Sequence, residues 1–266
     1  MRSPLLALLC ALSLLGAAAA QAPLDRPSPP PAKERKAAAP RSASAASLLQ
    51  PDIELIDVPT AGVLDQGGFS SRTRFFSQGG VMEWLNFGVF PRVNLGASLN
   101  VDKLIGTSSP VQLTRPDLQL KYRFYDGDRR IPALVLGFDG QGYLYNRPDK
   151  RYDQRQRGLY LVGTQEVGLP GLQAHAGMNI SDFDANELYG MLASSLNIQD
   201  KVLFMCEWDN LSNYVDSRFN LGLRVYLIPS FHMDFSARGI GQGGDYSNGV
   251  SRGPERVVQF KYTSSF

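Results

Sequence analysis

Val93-Asn94-Leu95-Gly96-Ala97-Ser98-Leu99-Asn100-Val101-Asp102 alternates without a break, with Val93, Leu95, Ala97, Leu99 and Val101 apolar and the residues between them polar or small. Successive side chains of a β-strand point to opposite faces, so a period of two describes a strand with one apolar and one polar side. The separation recurs. Leu172, Ala174, Ala176, Met178 and Ile180 oppose Gln173, His175, Gly177, Asn179 and Ser181, and Phe219, Leu221, Leu223, Val225 and Leu227 oppose Arg218, Asn220, Gly222, Arg224 and Tyr226.

From about Leu64 onward the chain is a succession of such segments, each closed by Gly, Pro, Asn or Asp. A soluble sandwich also alternates, so the connections must decide. Tight turns (Pro91 and Arg92; Asp126 to Arg130; Gly168 to Gly171; Gln199 to Lys201; Ile228 to Ser230) take turns with mostly longer links (about Leu104 to Arg115, Tyr145 to Gln156, Asp182 to Asn186, Leu211 to Asp216, Ile240 to Glu255). Short turns at one end and long loops at the other are the build of outer-membrane barrels, whose turns face the periplasm. The expected fold is all-β, a single antiparallel up-and-down transmembrane β-barrel of about twelve strands, an even number that returns both chain ends to the periplasmic side. Backbone groups left unpaired in hydrocarbon are costly, so a sheet that spans a membrane has to close on itself.

The final segment, Arg256 to Phe266, is the most specific local signal. Val258, Phe260, Tyr262 and Phe266 fall on one face, and Gln259, Lys261 and Thr263 on the other. A last strand with alternating aromatics and a terminal Phe resembles the signature of barrels inserted by the barrel assembly machinery, so Phe260, Tyr262 and Phe266 are the expected assembly signal. Trp208, Phe219 and Phe138 toward the long-loop ends, with Phe90, Tyr122, Phe124 and Phe231 toward the short turns, are placed to form two interfacial girdles.

Residues 1–20 read as a signal peptide: Arg2 precedes an apolar run from Leu5 to Leu15 and the small residues Ala18, Ala19 and Ala20. That run is too short for a membrane helix, and no later stretch approaches the roughly 20 apolar residues needed. Residues 21–58, rich in Pro and Ala near their start, are expected to form a disordered periplasmic linker, with the barrel occupying 59–266. Cys10 lies inside the signal, which leaves Cys206 without an internal disulfide partner; Val202, Phe204, Cys206 and Trp208 share the expected lipid face. The formal net charge of +2 gives no reason to expect a nucleic-acid partner.

The polar faces carry charges of both signs: Lys121, Arg123, Glu166, Glu207, Asp209, Arg218, Arg224, Asp234, Arg238 and Lys261 form the expected lumen network. Mixed signs point to internal pairing over a selectivity ring. A barrel of this size should have a narrow or side-chain-filled lumen. Residues symmetric about a turn should pair, which sets Asp209 against Arg218 and, about Pro229, Arg224 against Asp234. His232, Asp234 and Ser236 share a face, and His175 also points inward. Catalysis is disfavoured: His232 sits near the turn end, and no Gly-x-Ser-x-Gly elbow is present. The glycines from Gly239 to Gly244 lie in a loop and open no helix, so they do not mark a dinucleotide site. No cofactor or metal is expected.

Several stretches, Pro59-Thr60-Ala61-Gly62-Val63-Leu64, Gly79-Gly80-Val81, Lys121-Tyr122-Arg123, Pro132-Ala133-Leu134, Gly137-Phe138-Asp139 and Gly142-Tyr143, resemble the YjbH-like family of outer-membrane barrels, which is linked to exopolysaccharide production. The resemblance implies an outer-membrane location, contact with outer-membrane lipids and polysaccharide export components as partners; it implies no catalytic motif. The expected function is that of a noncatalytic barrel with a structural or export-associated role. An outer-membrane lipid hydrolase or acyltransferase, or a narrow channel, are the alternatives.

Overall fold

The structure is a computed structural model and describes residues 52–107, 110–181, 187–212, 216–246 and 251–264; the expected signal peptide, most of the expected linker and Phe266 lie outside these residues. The strands are β1 (Phe69–Phe76), β2 (Gly80–Phe90), β3 (Val93–Asp102), β4 (Gln112–Leu113), β5 (Asp117–Tyr125), β6 (Ala133–Asp139), β7 (Tyr143–Asn146), β8 (Arg151–Gln154), β9 (Gly158–Glu166), β10 (Leu172–Ile180), β11 (Tyr189–Ile198), β12 (Val202–Asp209), β13 (Arg218–Ile228), β14 (Phe231–Ile240) and β15 (Glu255–Ser264). Setting aside the two-residue β4 and the separate β7–β8 hairpin, twelve strands form the wall. Each pairs antiparallel with its neighbours in chain order, and β15 pairs with β1, which closes the sheet and leaves no free edge.

The wall is apolar outside and polar inside. On β3, Leu95 and Leu99 are exposed while Asn94, Ser98 and Asn100 are buried. Aromatics project outward at both ends, among them Phe90, Tyr122 and Phe124 near the turns and Phe138 and Trp208 near the loops. A soluble protein hides such side chains; hydrocarbon is the medium in which an exterior of this kind loses nothing. Cys206 alternates with buried Met205 and Glu207 and therefore faces outward.

Glu83 interrupts the apolar exterior. Its neighbours Met82 and Trp84 are buried in the lumen, so Glu83 points outward, where its carboxylate accepts hydrogen bonds from the Ser71 hydroxyl at 2.6 Å and from Thr73.

The turns follow local chemistry. Gln199 and Asp200 both have positive φ (53° and 56°), the pairing that suits the right-handed twist of a tight hairpin, and Lys201 N–H closes the turn on Ile198 O at 3.1 Å. Ladder irregularities at Gly88/Phe90, Arg123/Tyr125 and Tyr226/Ile228 fall just before turns and bend the strands there. At the opposite end the link between β6 and β9 is more than a loop: within it β7 and β8 pair as a hairpin.

Candidate functional site

The lumen is filled by the chain's own residues 52–64. The expectation of a linker through residue 58 does not hold for residues 52–58: Leu55 and Val58 are 0% exposed and Ile56 is 2% exposed. Composition carries the reason. Past Pro51 the chain stops being Pro- and Ala-rich and reads Asp52-Ile53-Glu54-Leu55-Ile56-Asp57-Val58, apolar enough to bury and charged enough to pair. The segment folds back on itself as a finger: Leu55 N–H reaches Val58 O at 3.0 Å, Thr60 N–H reaches Ile53 O at 3.2 Å, and Ile56 and Asp57 form the tip.

A finger tip has amides that its own turn cannot satisfy, and the wall supplies the acceptor. The Glu207 carboxylate, 0% exposed, accepts from the N–H groups of Ile56 (2.7 Å), Asp57 (3.0 Å) and Val58 (2.9 Å), and from Asn220 Nδ2 (3.0 Å). Three consecutive amides converging on one carboxylate make an anion-binding concavity. The side chain of Asp57 is held by Arg74 Nη1 at 2.8 Å and Arg238 Nε at 2.7 Å. Burial alone would raise the affinity of that carboxyl for a proton, but Arg238 and Arg74 outweigh burial and hold it well below the usual carboxylate range.

Other contacts fix both arms of the finger. Asp52 takes hydrogen bonds from Arg224 and, at 2.9 Å, from the Tyr226 hydroxyl; Arg224 in turn makes a fork with Asp234, Nε–Oδ1 2.8 Å and Nη2–Oδ2 2.9 Å. Glu54 pairs with Arg72 at 2.9 Å. Lys121 donates to the carbonyls of Ile53, Thr60 and Gly62. Ala61 N–H reaches Thr164 Oγ1 at 2.8 Å, and that hydroxyl contacts His175 Nδ1 at 2.9 Å, whose Nε2 lies 3.1 Å from Ser195 Oγ.

Apolar contacts complete the seat. Leu55 and Ile56 pack against Leu203 and Met205, and Val58 and Ala61 against Val135, Tyr160, Val162 and Met191. These inward apolar side chains were missed because strict alternation assigns lumen faces to polar residues. The available signal was the breakdown of alternation in Ala133-Leu134-Val135-Leu136 and Val202-Leu203-Phe204-Met205, where both faces are apolar because both are covered.

The loop end carries its own cover. Tyr143 of β7 lies under Arg238, whose Cζ is 4.3 Å from the ring centre, and its hydroxyl meets Arg74. Gln154 of β8 accepts from Arg218 and Arg238. Arg157 bridges the Asp57 carbonyl (3.0 Å) and Asp209 in a two-pronged pair (3.1 and 2.9 Å), and Asp209 also meets Arg218 at 3.1 Å. Arg74, Arg157, Asp52, Glu54 and Asp57 are central to the lumen and were not among the residues expected from sequence; their roles depend on a segment that alternation did not place inside.

The remaining expected network residues are placed unevenly. Arg238 pairs with Asp57 and Glu255. Lys261 is buried on β15, opposite Arg72 and His232 in the register. Glu166 does not join: it is exposed at the end of β9 and accepts Gly171 N–H, because the strand runs past the packed lumen before its turn. Arg123 also sits at the turn end, paired with Asp126 at 3.0 Å. His232 lies 3.7 Å from Asp234, which is already engaged by Arg224 and by Gln259 Nε2 at 2.8 Å. Among the assembly-signal residues, Tyr262 packs against Phe69 with ring centres 5.8 Å apart, and Phe260 against Phe75 and Phe231 at 6.0 and 6.3 Å, all on the outer surface.

No family model matches the chain, and no curated protein matches it. Among solved structures it is similar to the NanC porin (TM-score 0.38, 11% identity, covering 74% of this chain and 99% of that one). It is also similar to a mutant Rh. blastica porin (0.34, 7%, 70% and 55%) and to Salmonella typhi OmpF in complex with daunomycin (0.29, 10%, 74% and 96%). At such values the contents of the lumen have to be read from this chain's own residues.

Proposed function

We propose that the protein is a noncatalytic outer-membrane β-barrel whose lumen is closed at rest by its own segment 52–64, with the turns and the N-terminal tether on the periplasmic side. The observation that carries this is the reception of the Ile56, Asp57 and Val58 amides by the buried Glu207 carboxylate, which gives the finger a built seat in place of incidental packing. Asp52 and Leu64 both lie toward the turn end, the former on Tyr226 and the latter on Asn94 Oδ1 at 3.1 Å, so the finger enters and leaves by one mouth. Asp234 is committed to Arg224 and Gln259 and offers His232 no triad geometry, which favours a noncatalytic role.

Association with surface polysaccharide, through export components, is the role proposed within this frame. Its support is the resemblance carried by Pro59-Thr60-Ala61-Gly62-Val63-Leu64 and the stretches that follow it. Membrane fractionation, heat-modifiable gel mobility and planar-bilayer recording test the barrel itself. The expected result is an outer-membrane protein that folds as a barrel and passes no steady current. Steady ohmic conductance of the intact chain, or its recovery as a soluble periplasmic protein, would overturn the proposal. The exopolysaccharide yield of a strain lacking the gene tests the finer role, and an unchanged yield sinks it.

A further inference from the structure

The finger is an acidic segment on a basic seat. Residues 52–64 carry Asp52, Glu54 and Asp57 and no Lys or Arg. Each acid is held by arginine from the wall: Asp52 by Arg224, Glu54 by Arg72 at 2.9 Å, and Asp57 by Arg74 and Arg238 at 2.8 and 2.7 Å. The charges of Lys261 and Lys121, both buried, also bear on Glu54, and Lys261 stands opposite Arg72 in the β1–β15 register.

The wall does not balance these cations by itself. Arg224 has Asp234 and Arg238 has Glu255 whether or not the finger is in place, but the ion-pair partners of Arg72 and Arg74 among the described residues are both finger acids. In that part of the chain, the inward side chains of β1 and β2 include no carboxylate, and those of β15 and β3 include only Glu255 and Asp102 at their loop ends. Asp139, whose charge also reaches Arg72 and Lys121, is taken by Gln119 Nε2 at 3.1 Å and the Gln141 N–H at 2.9 Å. Removing the finger would leave Arg72, Arg74, Lys121 and Lys261 as neighbouring cations, with Glu207 the wall acid released in exchange. Buried charges of one sign without partners are strongly disfavoured, so the finger leaves most readily in exchange for another anion.

The chemistry of that anion follows from what it replaces. The finger presents carboxylates two and three positions apart on a chain, received by guanidinium groups whose planar fork fits a carboxylate. Trp84 lies against the Arg72 guanidinium, 3.5 Å from its ring centre, and holds that cation in place independently of the finger. We propose that the finger is an internal stand-in for a ligand bearing several carboxylates, which competes with it for Arg72 and Arg74. The room such a ligand needs is the room the finger vacates. The inference rests on the plugged-lumen proposal and not on the polysaccharide resemblance.

The test uses the full chain in detergent micelles, with trigalacturonate and triglutamate as probes from a sugar and a peptide source, and maltotriose and spermine as neutral and cationic controls. Binding is titrated by saturation-transfer NMR. At least one carboxylate trimer should bind the unaltered chain saturably and in preference to both controls, and the better of the two names the source. Two variants, checked for unchanged heat-modifiable folding, separate competition from a merely structural ion pair. Glu54→Gln weakens the finger alone and should tighten the trimer about five- to tenfold, whereas Arg72→Gln removes the shared cation and should weaken it by a similar factor, with Arg72→Lys recovering part of the loss. Equal shifts in one direction, no carboxylate binding to the unaltered chain, or preference for a control overturns the inference. Bilayer recording on the same preparation keeps the two ideas apart: a silent barrel with any of those results loses the stand-in alone, and a barrel that conducts steadily without ligand loses the plugged lumen and the stand-in with it.

Discussion

Arg224 and Asp234 face each other across the β13–β14 hairpin as a direct cross-strand pair, and the guanidinium engages both carboxylate oxygens at 2.8 and 2.9 Å with neither side chain more than 4% exposed. Planar two-pronged pairing fixes register as well as charge. Asp52 of the finger docks on the same guanidinium, so one arginine couples wall and plug.

Replacing Arg224 with Leu leaves the buried Asp234 carboxylate without its cation, and the partly exposed Asp52 with the Tyr226 hydroxyl alone, and should cost about 3 to 5 kcal/mol of folding stability in lipid. Adding Asp234→Leu removes one of them and should restore part of the loss, Asp52 accounting for the rest. A double-mutant cycle in folded vesicles checks this, and strict additivity would show that the two side chains are uncoupled.

Glu207→Ala should loosen the finger. It leaves the Ile56, Asp57 and Val58 amides without their acceptor and should destabilise the seat by about 1.5 to 3 kcal/mol. Single-channel recording should turn from silence to intermittent openings. A variant as silent as the parent would mean that the apolar contacts of Leu55 and Val58 hold the plug without help.

Acid should open the barrel late. Asp57 has a depressed carboxyl pKa, so its contribution is fully present above the unfolded value and is lost only as pH falls through the lower folded one. Release of the finger through Asp57 should therefore appear as conductance only in acid stronger than the ordinary carboxylate range. Opening between pH 6 and pH 5 would place the control on another group.

Glu83→Leu should stabilise the barrel in lipid by about 1 kcal/mol, since an outward acid costs less than the roughly 2 to 4 kcal/mol of a basic residue at the bilayer midplane. Urea titration of the folded barrel measures it. A clear loss of stability would show that the Ser71–Thr73–Glu83 contact contributes more than its desolvation takes away.

Cys206 should react slowly with a water-soluble maleimide in intact membranes and readily after solubilisation and unfolding. It is outward on β12 beside Phe204 and Trp208, which are 50% and 52% exposed on that face. Rapid labelling in membranes would reverse the parity of the strand.

The sequence by itself determined the wall. Alternation such as that of Val93 to Asp102 decides which side chains face lipid, tight turns such as Gln199–Asp200 decide which strands are neighbours, and hydrocarbon forbids an open edge, so strand number, order and closure all follow from patterns within about ten residues. The fate of residues 52–64 followed from no such pattern. Their partners lie far along the chain, Glu207 about 150 positions from Ile56 and Arg238 181 from Asp57, and a contact at that separation leaves no local period to detect. Whether a given lumen charge meets its wall neighbour, as Arg224 does, meets the finger, as Lys121 does, or stays at the rim, as Glu166 does, depends on how deep it sits beside a segment whose position only closure of the barrel creates. Tertiary structure decided the plug because burial inside the barrel is a property of the closed ring and of none of its strands alone.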